Sequence, residues 1–244
     1  MNGNRSTVVL TRAENNLAEI KTRYPQINWI DFPLIDFAYQ TLTDQVKYEI
    51  EENYDWLIFT SQNGVKSFFD QSENIINLNN HKIACVGPKT AGLVEDYGYE
   101  IDFIPSHYTS LILAKELPST TEESICYIGG NLSRYETLQV LKDKAKLFMQ
   151  VEVYHTVSYF HALEDWQHLF ATSPDIISFC SPSAVDSFNT QLEKYRLHVP
   201  SHVKFAAIGT TTADSILASF NQEAMVGESH TFQGMLDAIV QSAR

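Results

Sequence analysis

No stretch of this sequence approaches the roughly 18 consecutive apolar residues that a membrane-spanning helix needs. The first apolar run, Val8-Val9-Leu10, is too short for the core of an export signal. The expected compartment is therefore the cytoplasm, and no membrane partner is expected. Basic residues are also few, 17 Lys and Arg against 30 Asp and Glu, for a formal net charge of -13. A field of that sign repels nucleic acid and anionic bilayers. Nucleic acid is thus not an expected partner, and a site for an anion must gather its donors locally. Cysteine is scarce: Cys85, Cys126 and Cys180 each sit in an apolar, strand-like run, which reads as three reduced, buried thiols. Nucleotide and nucleophile signatures are missing too. Gly87-Pro88-Lys89-Thr90 has only a superficial likeness to a P-loop, and neither G-x-G-x-x-G nor G-x-S-x-G occurs. His198 and His202 are separated by Pro200, which disfavours the helix that would make them a metal pair. No metal and no cofactor are expected.

What is present is globular. Of the 244 residues 44% are hydrophobic and 12% aromatic, enough for one large or two modest domains. Short β-branched or aromatic runs recur at Val8 to Thr11, Trp56 to Thr60, Ile83 to Gly87, Ile125 to Gly129, Ile176 to Cys180 and Phe205 to Gly209. Each is followed by a polar turn and a helix-period segment, the pattern of parallel sheets covered by helices. Two of these units repeat. The segment Thr60 to Phe68 aligns with Cys180 to Phe188 at an offset of 120, and Ile83 to Ala91 with Phe205 to Ala213 at 122. Two ordered matches at nearly one offset predict two lobes of one architecture. A third strand unit, at Ile125, has no counterpart before the chain ends, so the second lobe borrows Val8 to Thr11 from the N-terminus. The expected fold is α/β, with two similar lobes, each a parallel sheet flanked by helices. Lobe A is discontinuous, 1-33 plus 158-244, and lobe B spans 38-150. Alternating apolar and polar residues at Asp31 to Tyr39 and Met149 to Tyr159 supply a two-stranded antiparallel linker, 34-37 and 151-157.

Both repeats place Ser or Thr where a strand turns into a helix. One such hydroxyl is ordinarily a helix cap. Several on one sheet edge, beside helix N-termini, form a place for an anion, because strand C-termini share the edge where ligands bind. The candidates are Thr60, Ser61, Asn63, Thr90, Ser181, Ser183, Thr211 and Thr212, with Gly87, Gly130 and Gly209 allowing close backbone approach. Arg134 follows the Gly129-Gly130-Asn131 turn and is a candidate carboxylate contact. Lys204, Arg12, Lys66 and Lys89 are weaker cationic candidates. Tyr154 lies in the return strand, at the expected crossing between lobes, where a strand side chain can enter a cleft.

Six short blocks in order carry a resemblance: Thr60-Ser61-x-Asn63-Gly64-Val65, Val86-Gly87-x-x-Thr90-Ala91, Gly130-Asn131-x-x-Arg134, Val151-x-Val153-Tyr154-x-Thr156, Ser181-Pro182-Ser183, and Lys204 through Ala213. Together they resemble the uroporphyrinogen-III synthases over nearly the whole chain. The resemblance implies the two-lobed fold and a lyase of tetrapyrrole biosynthesis without a cofactor. Such enzymes close hydroxymethylbilane, a linear tetrapyrrole with eight carboxylates, into its macrocycle, inverting ring D and losing water. It further implies that Tyr154 is the catalytic residue and that Thr90, Thr211 and Thr212 are threonines of the substrate turns. Two departures, Ala13 where the family often has Pro and Gly64 where Ala is usual, touch only turn geometry. A monomer is expected. The rival readings are a non-catalytic ligand-binding or regulatory protein of the same two-lobed fold, and a phosphate-ester enzyme, for which no motif is present.

Overall fold

A computed structural model describes residues 5-70 and 77-243; the start of the polar N-terminal segment, 1-4, lies outside them. In chain order the elements are β1 (Thr7–Leu10), α1 (Leu17–Arg23), β2 (Asn28–Asp31), β3 (Ile35–Tyr39), α2 (Asp44–Asn53), β4 (Trp56–Phe59), α3 (Gln62–Asp70), β5 (Lys82–Cys85), α4 (Pro88–Asp96) and α5 (Ser110–Glu116). There follow β6 (Ile125–Gly130), α6 (Tyr135–Lys144), β7 (Phe148–Ser158), α7 (Leu163–Ala171), β8 (Ile176–Phe179), α8 (Pro182–Tyr195), β9 (Lys204–Ala207), α9 (Thr210–Phe220), β10 (Ala224–Val226) and α10 (Phe232–Ser242). All six sequence-expected strands are present, within two residues at each end. The chain divides into two compact units, Met1–Asp36 with Val157–Arg244 as unit 1 and Phe37–Thr156 as unit 2.

Unit 2 is built on a sheet of order β3-β7-β6-β4-β5. The strands β4, β5, β6 and β7 are parallel. Strand β4 (WLIF) and β6 (ICYIGG) are buried throughout, as central parallel strands must be when helices cover both faces. Alternation sorts their side chains. Leu57, Phe59, Cys126 and Ile128 pack with Val65 and Phe68 of α3. Trp56, Ile58, Ile125 and Tyr127 pack with Leu113 of α5 and Leu141 of α6. Strand β3 runs antiparallel to β7, since Gln40 N–H donates to Val153 O and Tyr159 N–H to Leu34 O, each at 2.9 Å.

Unit 1 has a sheet of order β10-β9-β8-β1-β2 in which all four neighbouring pairs are parallel. Laid beside the other, β9-β8-β1-β2 matches β5-β4-β6-β7 strand for strand, with β1 in the place of β6. Even β10 has a counterpart, the parallel bridge from Ala84 to Phe103. The repeat carries one structural pairing that its sequence does not announce. Ser67 and Ser187 are equivalent and buried, and each donates to a backbone carbonyl, Ser67 to Val153 O in β7 and Ser187 to Leu34 O just before β3.

One expectation is corrected. Asp31 to Tyr39 is not one alternating strand: β2 ends at Asp31 and β3 begins at Ile35. Pro33 lies between them, and its missing N–H and fixed φ interrupt a ladder.

Candidate functional site

In unit 2 the strand ends and the turns after them enclose a cavity of about 390 Å³, lined by Thr60, Ser61, Val86, Tyr108, Thr109, Ser110, Tyr127, Gly130, Leu132, Ser133, Arg134 and Tyr154. Its position follows from the topology, because β4, β5 and β6 all end at this edge. Three helices begin at its wall. Helix α3 starts after Ser61, whose Oγ accepts the Gly64 N–H at 3.0 Å. Helix α5 is capped by Thr109, which accepts the Ile112 N–H at 3.3 Å. Helix α6 starts after Arg134. Helix starts of this kind favour negative charge.

Tyr154 comes to this cavity through a break in strand regularity. Along β7, Val151 and Val153 are buried and Glu152 is exposed, so simple alternation would send Tyr154 to the side of Glu152. The pairing with β6 slips instead: Gly129 pairs with Glu152, and Gly130 with Tyr154. This bulge turns Tyr154 to the same face as Val153, where it packs against the α3 side of the sheet. Bulges re-aim side chains in this way, and they are rare between parallel strands. The ring then passes against Gly130, where an added Cβ would lie 2.6 Å from two ring carbons. Phe37 meets it edge-on at 5.7 Å between centroids. Ser61 Oγ donates to the phenol oxygen at 3.1 Å. Burial pushes the Tyr154 pKa above its ordinary value of 10.0, the Ser61 hydrogen bond opposes this, and the neighbouring Tyr127 adds to it.

A second tyrosine arrives from the other face. The hydroxyl of Tyr127 is 3.0 Å from Thr60 Oγ1, and its ring passes against Gly129 as the Tyr154 ring passes against Gly130. The Gly129-Gly130 pair thus removes a Cβ on each face where a ring must pass. Sequence reasoning missed Tyr127. The signal was there, in a glycine pair closing an otherwise bulky strand. It also missed Tyr108, 63% exposed, whose ring lies against Gly87.

The structure brings Thr60, Ser61, Gly130, Arg134 and Tyr154 together around one cavity, with Gly87 behind Tyr108. Asn63 is half-buried in the first turn of α3, off the cavity lining. In unit 1, Ser181 and Ser183 sit at the start of α8, their hydroxyls 2.9 Å apart, and Ser181 accepts the Ala184 N–H at 3.3 Å. Gly209 starts α9 against the ring of His230, and Thr211 is exposed in the first turn. Thr90 and Thr212 are the third residues of α4 and α9, in the first turns after Gly87 and Gly209, and are 5% and 2% exposed. Lys204 is displaced from the set: it opens β9, whereas Gly209 follows the other end of that strand. At about 3.3 Å per strand residue the two lie at opposite edges of the sheet.

A larger hollow of about 570 Å³ in unit 1, between the end of α8 and Phe220, lies off the turn edge that carries the hydroxyls. Among the described residues, no group of three or more His, Cys, Asp or Glu could hold a metal ion. No helix among them is long and apolar enough to cross a membrane. The free thiols are Cys85 and Cys126, both buried, and the half-buried Cys180.

Comparison with known proteins gives one consistent result. Residues 23–237 match the family model described as uroporphyrinogen-III synthase HemD. A Methanocaldococcus jannaschii protein named as a candidate uroporphyrinogen-III synthase is 27% identical over 216 residues, covering 86% of this chain and 87% of its own. The chloroplastic uroporphyrinogen-III synthase of Oryza sativa subsp. japonica is 26% identical over 227 residues, covering 85% and 71%. Among solved structures, the uroporphyrinogen-III synthetase of Helicobacter pylori superposes with a TM-score of 0.69 at 18% identity, covering 98% of this chain and all of the other.

Proposed function

The chain belongs to the uroporphyrinogen-III synthase family, and on that premise we propose that it closes hydroxymethylbilane to uroporphyrinogen III with Tyr154 as proton donor to the departing hydroxyl. It is an enzyme of porphyrin biosynthesis, a cyclising lyase. The observation that carries the assignment of Tyr154 is its phenol at the wall of the cavity, with the proton of Ser61 directed at the phenol oxygen. Ser61 accepts the Gly64 N–H and gives its one proton to Tyr154. The phenol proton is then left to donate to a ligand.

The chemistry balances on that proton. Tyr154 protonates the hydroxyl of the substrate as the C–O bond breaks, water leaves, and an electrophilic azafulvene remains. Ring D attacks through its substituted carbon, the resulting spiro intermediate fragments, and recombination inverts the ring. The carbon that closes the macrocycle loses a proton, which restores the phenol. Because the azafulvene also cyclises unaided to the uninverted isomer, the enzyme must hold the chain in the productive geometry. Alignment of this kind supplies up to roughly 7–11 kcal/mol. Thr60, Ser61, Asn63, Gly87, Thr90, Gly130 and Arg134 are the candidate substrate contacts among the turns of unit 2 in this reading, and Ser181, Ser183, Gly209, Thr211 and Thr212 those among the turns of unit 1. Neutral hydroxyl and backbone donors suit a protein whose net charge is -13. The same balance supports a chain that binds neither nucleic acid nor membrane. The working form is taken to be a cytoplasmic monomer without a cofactor.

Tyr154→Phe keeps the ring and removes the proton. The expected outcome is a fall in kcat of about a hundredfold or more, with the uninverted isomer dominating what product forms. Wild-type turnover to the type III isomer would remove Tyr154 from the mechanism. Since the phenol is the active form and its pKa is raised, activity is lost only as pH rises through a value above 10.0. The kcat profile should show no tyrosine-dependent alkaline limb below that pH.

A further inference from the structure

We propose that Tyr127 is a second functional phenol of this enzyme, a positioning residue that turns the hydroxyl of Thr60 into the cavity as donor to a carboxylate of the substrate. The inference rests on the reading of the cavity as the substrate site.

Proton accounting leads to it. Tyr127 is 2% exposed and sits in the cluster with Trp56, Ile58, Leu113 and Leu141. Packing alone would be served there by phenylalanine. Its hydroxyl instead reaches Thr60 Oγ1 at 3.0 Å. One hydrogen bond between two hydroxyls uses one proton and leaves the other. If Thr60 were the donor, the remaining proton would be that of the buried phenol. Both residues line the cavity, but with Tyr127 as donor the remaining proton is on the half-buried Thr60 and not on the phenol, which is 2% exposed. The second arrangement satisfies the buried group, and leaving a buried donor unmade is the costlier error.

Two further observations support a built arrangement. A Cβ on Gly129 would stand 2.7 Å from Cε1 of Tyr127, so the strand gives up a side chain to let this ring reach its C-terminal edge. The partner residues are also consecutive. Thr60 takes the phenol from β6 and Ser61 the phenol from β7. The result is two neighbouring protons offered to one cavity, one from Tyr154 backed by Ser61 and one from Thr60 backed by Tyr127. A carboxylate of the linear tetrapyrrole is the acceptor that suits the second.

The test is steady-state kinetics on the full chain with hydroxymethylbilane, using Tyr127→Phe, Thr60→Val, their double variant and Thr60→Ser. Tyr127→Phe should raise KM about fivefold to tenfold with a smaller change in kcat, as expected for loss of an aligned hydrogen bond to a charged group. The double variant should be no worse than Thr60→Val alone, because both changes remove one contact. Thr60→Ser should keep most of the wild-type KM. A folded Tyr127→Phe protein with wild-type KM overturns the proposal, as does strict additivity of the two changes. If Tyr127→Phe does not fold, equal KM values for Thr60→Ser and Thr60→Val overturn it and a higher KM for Thr60→Val upholds it. Tyr154→Phe, assayed alongside, separates this idea from the wider reading: loss of turnover there with no KM effect at Tyr127 sinks only the role of Tyr127.

Discussion

At the residue scale the site depends on two missing methyl groups. Gly130 gives its Cβ space to the Tyr154 ring and Gly129 to the Tyr127 ring. Gly130→Ala places a methyl 2.6 Å from the Tyr154 ring, and overpacking of this kind costs about 1–3 kcal/mol. The ring moves more readily than the strand, so kcat should fall at least about tenfold, a larger effect than the shift in urea midpoint implies. Thiols give a separate prediction. Burial pushes Cys85 from 9.0 up to about 12 and Cys180 up to about 11. A folded pKa above the unfolded one means the folded state holds its proton longer. That stability is complete below about pH 9 and is lost as pH rises from 9 towards 12. The urea midpoint should decline between pH 9 and pH 10.5, and less steeply in Cys85→Ala. Near neutral pH, Cys85 should resist thiol reagents while the protein is folded.

Elements show where local reading succeeds and where it stops. Each expected strand was visible as a short apolar run before a polar turn, and the hydroxyl after β4 and before α8 could be read as a cap from residue type alone. Ser61 does cap α3, yet it also holds Tyr154, and no local rule links a cap to a phenol 93 residues away. Ser61→Ala should therefore cost about 1 kcal/mol in urea denaturation and lower kcat as well. A cap without the second role would move stability alone. The bulge in β7 is the plainest limit. Alternation through Val151, Glu152, Val153 and Tyr154 assigns the tyrosine to the exposed face, and only the slipped pairing with Gly129 and Gly130 reverses it. Pro33 made the opposite kind of error available, since its break in Asp31 to Tyr39 was legible and the apolar alternation concealed it.

For the whole molecule, two sheets of matching strand order account for a repeat with offsets of 120 and 122. Unit 2 has a core of its own on both faces of its sheet and is continuous in sequence. Residues 35–158 made alone should unfold in urea as one cooperative transition, with a slope of about 1–3 kcal/mol/M; a broad, non-cooperative loss of helical signal would contradict an independent core. By itself the sequence determined the alternation of strands and helices, the duplicated strand-turn-helix units, and the gathering of hydroxyls and glycines at strand ends, because each rests on residue type and short-range periodicity. The tertiary structure alone decided that Tyr154 faces the cavity, that Tyr127 meets Thr60, and that Lys204 lies at the opposite edge of its sheet from Gly209. Those outcomes depend on register between strands and on rings crossing beneath a neighbouring backbone, which are properties of pairs distant in the chain.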